Sequence, residues 1–261
     1  GLGGRFGFGV RHGLGLGLGF RFGLSATLRV LLRTGVRVGG EADVEVAIVH
    51  DEVEHLAHLG VLDDGWLLAH PVHLEPGEEE LIAEAGAGVS YCPVSNLSLA
   101  LQTPDLGRLR ESGARLGIGL DHPNGSNDLA ATARTAVLLQ RSIDGAVGSW
   151  TAADALDLAT HGGAAAIERD AQLGRLDIGM AADLQVLDLD DAALASYERM
   201  PHRVMLAAHP GTVMDVAVAG SWRILDGSFT HLDEAEIIAD AREARERLRS
   251  LIVGEGAASS G

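Results

Sequence analysis

Residues 66–74 read WLLAHPVHL. Trp66, Leu67, Leu68 and Ala69 form a short apolar run of the kind that makes a buried strand. The run ends at once in His70, Pro71 follows, and His73 comes three positions later. In a parallel α/β architecture, chemically active side chains collect at the carboxyl ends of strands. His70 stands at such an end. A second strand, GVSYCP (88–93), ends in Tyr91-Cys92-Pro93, and a third, RLGIGLD (115–121), ends in Asp121. Helical spacing fills the intervals: HDEVEHLAHLG (50–60) closed by Gly60, GEEELIAEAG (77–86), DLGRLRESG (105–113), and NDLAATARTAVLLQR (127–141) capped by Asn127. Strands alternating with helices predict parallel strands joined by crossover helices.

A carboxylate closing an apolar strand must be paired, hydrogen-bonded or metal-bound, because an unpaired buried charge costs several kcal/mol. His70 and Asp121 are therefore the candidate site. Structural roles compete with this reading: a satisfied strand-end histidine, and an Asx turn at Asp121, which HPNGSND follows. His73 reads as a structural neighbour, since Pro71 discourages the helical geometry that an i,i+3 metal pair would need. Cys92 reads as a small buried apolar residue. His55 and His58 fall on a helix surface, and His161, His202, His209 and His231 show no ligand-like clustering.

Further along, TAADALDLATHGGAAAI (151–167) predicts one helix capped by Thr151 and weakened at Gly162-Gly163. LGRLDIGMAADLQVLDLD (173–190) and VMDVAVAGSWRILDGSF (213–229) predict strand–turn–strand units, the second with turns at Gly220-Ser221 and Asp226-Gly227. DEAEIIADAREARERLRSLI (233–252) predicts an amphipathic helix with early acids and late arginines, as the helix dipole favours. GEGAASSG reads as a disordered tail. The expected divisions are 1–49 as a Gly/Arg-rich low-complexity segment, 50–170 as the carboxyl-terminal part of a barrel, 171–232 as a β-sandwich part, and 233–261 as helix and tail.

The 261-residue chain is 46% apolar, which supplies a sizeable core. Its net charge of −17 argues against nucleic acid as a general partner. All 20 basic residues are arginine, the mark of a GC-rich genome. One cysteine excludes an internal disulfide and points to a reducing, cytoplasmic setting. No apolar run reaches the roughly 18 residues of a membrane span.

The first forty residues stand apart, with 13 Gly, 6 Arg and no acid. Three readings compete for them. A phosphate-cradling loop lacks its third glycine, since His12 takes that place. An Arg/Gly/Phe arm could bind RNA. GC-rich DNA read out of frame, or past the end of a truncated gene, yields the same composition.

Four stretches carry a family resemblance: LLAHPVHL (67–74), GVSYCPVSNLSL (88–99), RLGIGLDHPNGSNDL (115–129) with RTAVLLQR (134–141), and LGRLDIGMAADLQVLDLD (173–190). In this order and spacing, residues 53–251 resemble the amidohydrolase superfamily. The nearest branch is that of cytosine, guanine and S-adenosylhomocysteine deaminases and triazine hydrolases. The resemblance implies an incomplete (β/α)8 barrel holding the last strands, a small antiparallel β-sandwich part and a terminal helix. It implies a hydrolase acting on the C–N, or less often C–Cl, bonds of a nitrogen heterocycle, with one Zn²⁺ or Fe²⁺ activating water. Asp121 would bind the metal and take a proton from that water; His70 would hydrogen-bond the water and help move protons.

Departures from the family pattern are equally plain. No His-x-His occurs in the chain, and its one His-x-x-Glu spacing, His231 to Glu234, falls after the strand–turn–strand units and not behind a predicted barrel strand. Tyr91 stands where the family carries histidine before Cys-Pro, and Met180 where lysine is common. A site with one protein ligand holds no metal. The loss coincides with the Gly/Arg stretch, which favours a frameshifted or truncated start over an RNA-binding arm. The expectation is therefore a hydrolase fragment that is inactive by itself. The rival is a non-catalytic pseudoenzyme or assembly partner, and an open partial barrel is expected to self-associate into a homo-oligomer.

Overall fold

The computed structural model describes the backbone of residues 34–38, 42–48, 53–121 and 127–258, and side chains within 53–121 and 127–250. The chain divides into two compact units, one of residues 1–180 with 189–210, the other of 181–188 with 211–261.

The first unit is built on a five-stranded sheet in sequence order: β1 (Thr34–Val38), β2 (Ala42–Ile48), β3 (Trp66–Ala69), β4 (Gly88–Tyr91) and β5 (Arg115–Ile118). β1 and β2 are antiparallel, and β2 through β5 are parallel. Between the parallel strands run α1 (Val53–His58), α2 (Glu78–Ala85), α3 (Pro93–Ser98) and α4 (Leu106–Ser112). β1 and β2 lie inside the segment 1–49 that composition alone reads as low-complexity. The remainder of the Gly/Arg arm, residues 1–33, lies outside the described residues.

The register places Leu68, Val89 and Leu116 on one face. That face meets Val53, Leu56, Ile82, Leu106 and Leu109 in the main apolar core. The opposite face carries Leu67 and Arg115 beside Gly88, and is otherwise small: Ala69, Gly88, Ser90 and Gly117. This permits close packing of α7 (His161–Ala166) onto β4 and β5. A Cβ on Gly88 would stand 1.9 Å from the Ala166 carbonyl oxygen, and one on Gly117 would stand 2.8 Å from the Gly163 Cα. Neither contact is sterically possible, so both glycines are required by the approach of this helix.

Two helix boundaries differ from expectation. α5 (Leu129–Asp144) is capped by Asp128, whose side chain accepts from the Ala131 N–H; Asn127 is one residue too early. The helix expected over 151–167 is two: α6 (Ala152–Ala159), with a reciprocal Thr151–Asp154 capping box, and α7. The break falls at Thr160 (φ −126°, ψ −94°), and Gly162 and Gly163 lie within α7. Gly162 is used for contact, since a Cβ there would stand 2.5 Å from the Leu116 carbonyl oxygen. Past α7, the short helices α8 (Ala192–Ala195) and α9 (Met200–His202) lead into one π-helical turn, Arg203–Ala207. Arg134 of α5 donates to the Met205 and Ala208 carbonyls there.

The second unit is an antiparallel sheet of β6 (Leu184–Leu187), β7 (Val213–Val218), β8 (Ser221–Leu225) and β9 (Ser228–Phe229), in that order. Residues 173–183 contribute no strand, so LGRLDIGMAADLQVLDLD supplies one strand and not two. The β7–β8 turn is Ala219-Gly220, one residue before the expected pair, and both residues are left-handed (φ 49° and 75°). The Asp226-Gly227 turn falls where expected (φ 51° and 72°). Helix α10 runs from Glu234 to Ala258, past the glycines where the sequence suggests a tail. No described helix is long and apolar enough to cross a membrane.

Candidate functional site

Three neighbouring strand ends meet at one place. β3 stops at Ala69, and His70 turns the chain with a left-handed backbone (φ 58°). The Val72 N–H then bonds the His70 carbonyl across Pro71 at 2.8 Å. Asp121, three residues beyond β5, is also left-handed (φ 64°). This region costs an L-residue roughly 1–2 kcal/mol, and less for Asp, whose short side chain can hydrogen-bond locally. Two such residues past the ends of β3 and β5, on either side of β4, are the kind of local conformation that gathers at functional sites.

Between them, β4 passes directly into α3, with Pro93 in the first helical turn. This short turn carries Ser95 and Asn96, both buried, into the gap between His70 and Asp121. His70 Nδ1 lies 2.6 Å from Asn96 Oδ1, and Ser95 Oγ donates to Asp121 Oδ2 at 2.6 Å. His70 Nε2 stands 3.5 Å from that same Oδ2. An amide oxygen only accepts, so this contact is a hydrogen bond when Nδ1 carries a proton. The chain Asn96–His70–Asp121–Ser95 is buried except at Asp121, whose side chain is 33% exposed. Asn96 Nδ2 is buried with no hydrogen-bond partner among the described residues.

The sequence singles out His70 and Asp121, and the structure brings them together. It gave no role to Ser95 or Asn96, although both stand in the quoted stretch GVSYCPVSNLSL. The signal available was a pair of small polar residues one turn into a helix that follows a strand end without a loop. Cys92 caps α3 without a side-chain bond and is buried; burial pushes its thiol up to about 11, so it is a neutral thiol near pH 7. Gly119 lets β4 and β5 converge beneath the site, since a Cβ there would stand 2.5 Å from Ser90 Oγ and 2.7 Å from Cys92 Sγ. His55 and His58 are exposed on α1. His161 pairs with Asp157 at 3.4 Å and His209 with Asp191 at 3.6 Å, both remote in sequence from the strand-end network.

Asp121 is the network member that the resemblance assigns to the metal, and His70 Nε2, itself able to bind zinc, is turned to the Asp121 carboxylate. Among the described residues, no three His, Cys, Asp or Glu side chains come together as a metal cage. The described residues therefore do not by themselves fit the Zn²⁺ or Fe²⁺ that the resemblance implies. His50, Asp51, Glu52 and His122 lie outside the described residues.

Parallel strands whose carboxyl ends bring a histidine and an aspartate together, with a small antiparallel unit later in the sequence, define an α/β chain with its polar cluster at the strand ends. The match to the amidohydrolase family spans residues 39–223, and the chain belongs to that family. It is 34% identical over 215 residues to a 5-methylthioadenosine/S-adenosylhomocysteine deaminase of Halobacterium salinarum, covering 80% of this chain and 49% of that protein. An 8-oxoguanine deaminase of Pseudomonas aeruginosa is 34% identical over 198 residues, covering 75% of this chain and 43% of that one. Among solved structures, a zinc-bound adenosine deaminase from Xanthomonas campestris superposes with a TM-score of 0.72 at 30% identity, over 76% of this chain and 46% of that one. An atrazine chlorohydrolase from Arthrobacter aurescens complexed with zinc shares the fold (TM-score 0.65, 23% identity, 73% and 43% covered). The chain thus spans about half the length of the relatives it matches.

Proposed function

We propose that this chain is the carboxyl-terminal part of a (β/α)8-barrel hydrolase that removes an amino group from a nitrogen heterocycle, a purine, pyrimidine or triazine, in the cytoplasm. Residues 50–170 supply barrel strands and crossover helices, and 171–232 the β-sandwich part. The observation that carries the reading is the His70–Asp121 pair, held from both sides by Asn96 and Ser95. Family membership and deaminase relatives support the chemistry.

In this reading His70 Nε2 and Asp121 are the two proton acceptors beside the attacking water. Asn96 keeps the Nε2 lone pair turned inward, because Nδ1 is committed to its amide oxygen. Once Nε2 takes a proton, the imidazolium stands beside the Asp121 carboxylate, which stabilises it by charge. The same proton can then pass to the departing amine. Ser95 fixes Oδ2 and leaves Asp121 little freedom to swing. A divalent metal would activate the water in the whole enzyme. Since no three potential ligands cluster among the described residues, we expect the 261-residue chain alone to release little ammonia.

The test is ammonia release from a panel of S-adenosylhomocysteine, adenosine, guanine, cytosine and an aminotriazine, with Zn²⁺ or Fe²⁺ added. It is run on the 261-residue chain and on the longest reading frame that contains it. The longer protein should release ammonia, and Asp121→Asn should lower kcat by about 10²–10⁴-fold. No turnover on any substrate, or turnover indifferent to Asp121→Asn, sinks the reading. A second reading, a non-catalytic assembly partner, rests on the lack of a three-ligand cluster among the described residues. Absence of turnover in both proteins would favour it.

A further inference from the structure

Helix α10 is 25 residues long, and every position whose side chain is described, 234–250, is exposed. Its sequence is not polar all round. Ile237, Ala241, Ala244 and Leu248 recur at spacings of four, three and four, the a/d pattern of a two-helix seam. Ile237 is 47% exposed and Leu248 61%. A helix this long gains most of its stability from packing an apolar stripe, and among the described residues of its own unit this stripe is exposed.

The charges along α10 are segregated. Positions 233–241 carry four acids and no arginine; positions 242–249 carry four arginines against two glutamates. Two such helices side by side in parallel would set acid against acid and arginine against arginine. Reversing one of them sets the acidic half against the basic half. One register satisfies stripe and charge together: Ile237 opposite Leu248 of the second helix, and Ala241 opposite Ala244. The central alanines then allow axes as close as about 8 Å. Asp240 and Arg247 each stand one residue before a seam position, Ala241 and Leu248. In the reversed register they face each other, and two-fold symmetry makes two such pairs. Among the described residues Arg247 pairs with Glu243, at 3.7 Å on an exposed face, which leaves it little to lose.

We propose that α10 is a homodimerisation element, pairing antiparallel with α10 of a second copy of this chain through the Ile237–Leu248 and Ala241–Ala244 layers and two Asp240–Arg247 pairs. The acidic-to-basic polarity of the helix selects a second copy over an unrelated acidic or basic partner, because only the same helix reversed matches both halves. The inference is independent of the catalytic reading.

The test is sedimentation of the full chain from about 1 µM to 1 mM, a range that suits so short a seam. The unaltered chain should pass from monomer to dimer. Leu248→Asp should raise the dissociation constant at least about tenfold, and Arg247→Asp by about tenfold, through two lost attractions and two new repulsions. The swapped double variant, Asp240→Arg with Arg247→Asp, should return close to the original constant, which misfolding cannot imitate. A monomer throughout the range overturns the proposal. So does association indifferent to Leu248→Asp, or a double variant as weak as Arg247→Asp alone.

Discussion

At the scale of single residues, the site depends on what holds the two groups more than on the groups themselves. Asn96 is fully buried and spends its amide oxygen on His70. Replacing it with leucine, close in volume, leaves the Nδ1–H without a partner. The proton then gains by moving to Nε2, where Asp121 accepts it. Long-range ¹⁵N–¹H correlation spectra should show His70 as the Nδ1–H tautomer in the original chain and as Nε2–H in Asn96→Leu. An unchanged tautomer would remove Asn96 from the mechanism. The stability cost should be modest, about 1 kcal/mol, because the substitution also removes the unpartnered Nδ2. Cys92 offers a second residue-scale measurement. Desolvation raises its folded-state value from 9.0 to about 11, so the folded chain holds the thiol proton more tightly than the unfolded chain. Its contribution is therefore complete below pH 9 and is lost as pH rises through about 11. Urea melts between pH 8 and 10 should lose stability with a slope that Cys92→Ala reduces; above pH 10 Tyr91, which burial raises to about 12, adds its own loss. The same burial predicts a native thiol nearly inert to iodoacetamide near pH 8.

At the scale of elements, strand and helix positions in the first unit are legible because apolar alternation and capping residues agree. WLLA, GVSY and the helices α2 and α4 fall within a residue or two of expectation, whereas α3 departs from it, because GVSYCP reads as strand through Pro93. Where the reading slipped, local chemistry offered two choices and tertiary contact decided. Asn127 and Asp128 are both good caps, and only geometry selects Asp128. Gly162-Gly163 looks like a helix breaker to a reader of propensities, yet these glycines are the surface on which α7 meets β5. That leads to a pair of substitutions with opposite expectations. Gly117→Ala puts a methyl 2.8 Å from the Gly163 backbone and should cost about 1–3 kcal/mol in denaturant titration. Gly148→Ala meets nothing within 4 Å and should be close to neutral. If both are neutral, α7 does not lie on the glycine face of the sheet. Likewise, His70 and Asp121 were legible because apolar strands end in them. Ser95 and Asn96 were not, since small polar residues are common and only the turn of α3 gives them a target.

At the scale of the whole molecule, the question is how much of a metal site this chain brings. Anything that binds the folded state alone stabilises it by RT ln(1 + [L]/Kd). A cage of three or four protein ligands, saturated 1,000-fold, would add about 4 kcal/mol. For a chain of this size that raises Tm by roughly 8–16 °C. A lone carboxylate with Kd ten times above the added metal adds less than ~0.1 kcal/mol, a shift below ~1 °C. The described residues provide the second case, with Asp121 beside His70 and no cluster of three. The 261-residue chain should therefore melt at the same temperature with and without 0.1 mM Zn²⁺, within ~1 °C. A rise of several degrees, abolished by Asp121→Asn, would show that further ligands gather around Asp121 from outside the described residues. The candidate site would then be a metal centre carried by this chain itself, and the expectation that the chain is inactive alone would fall with it.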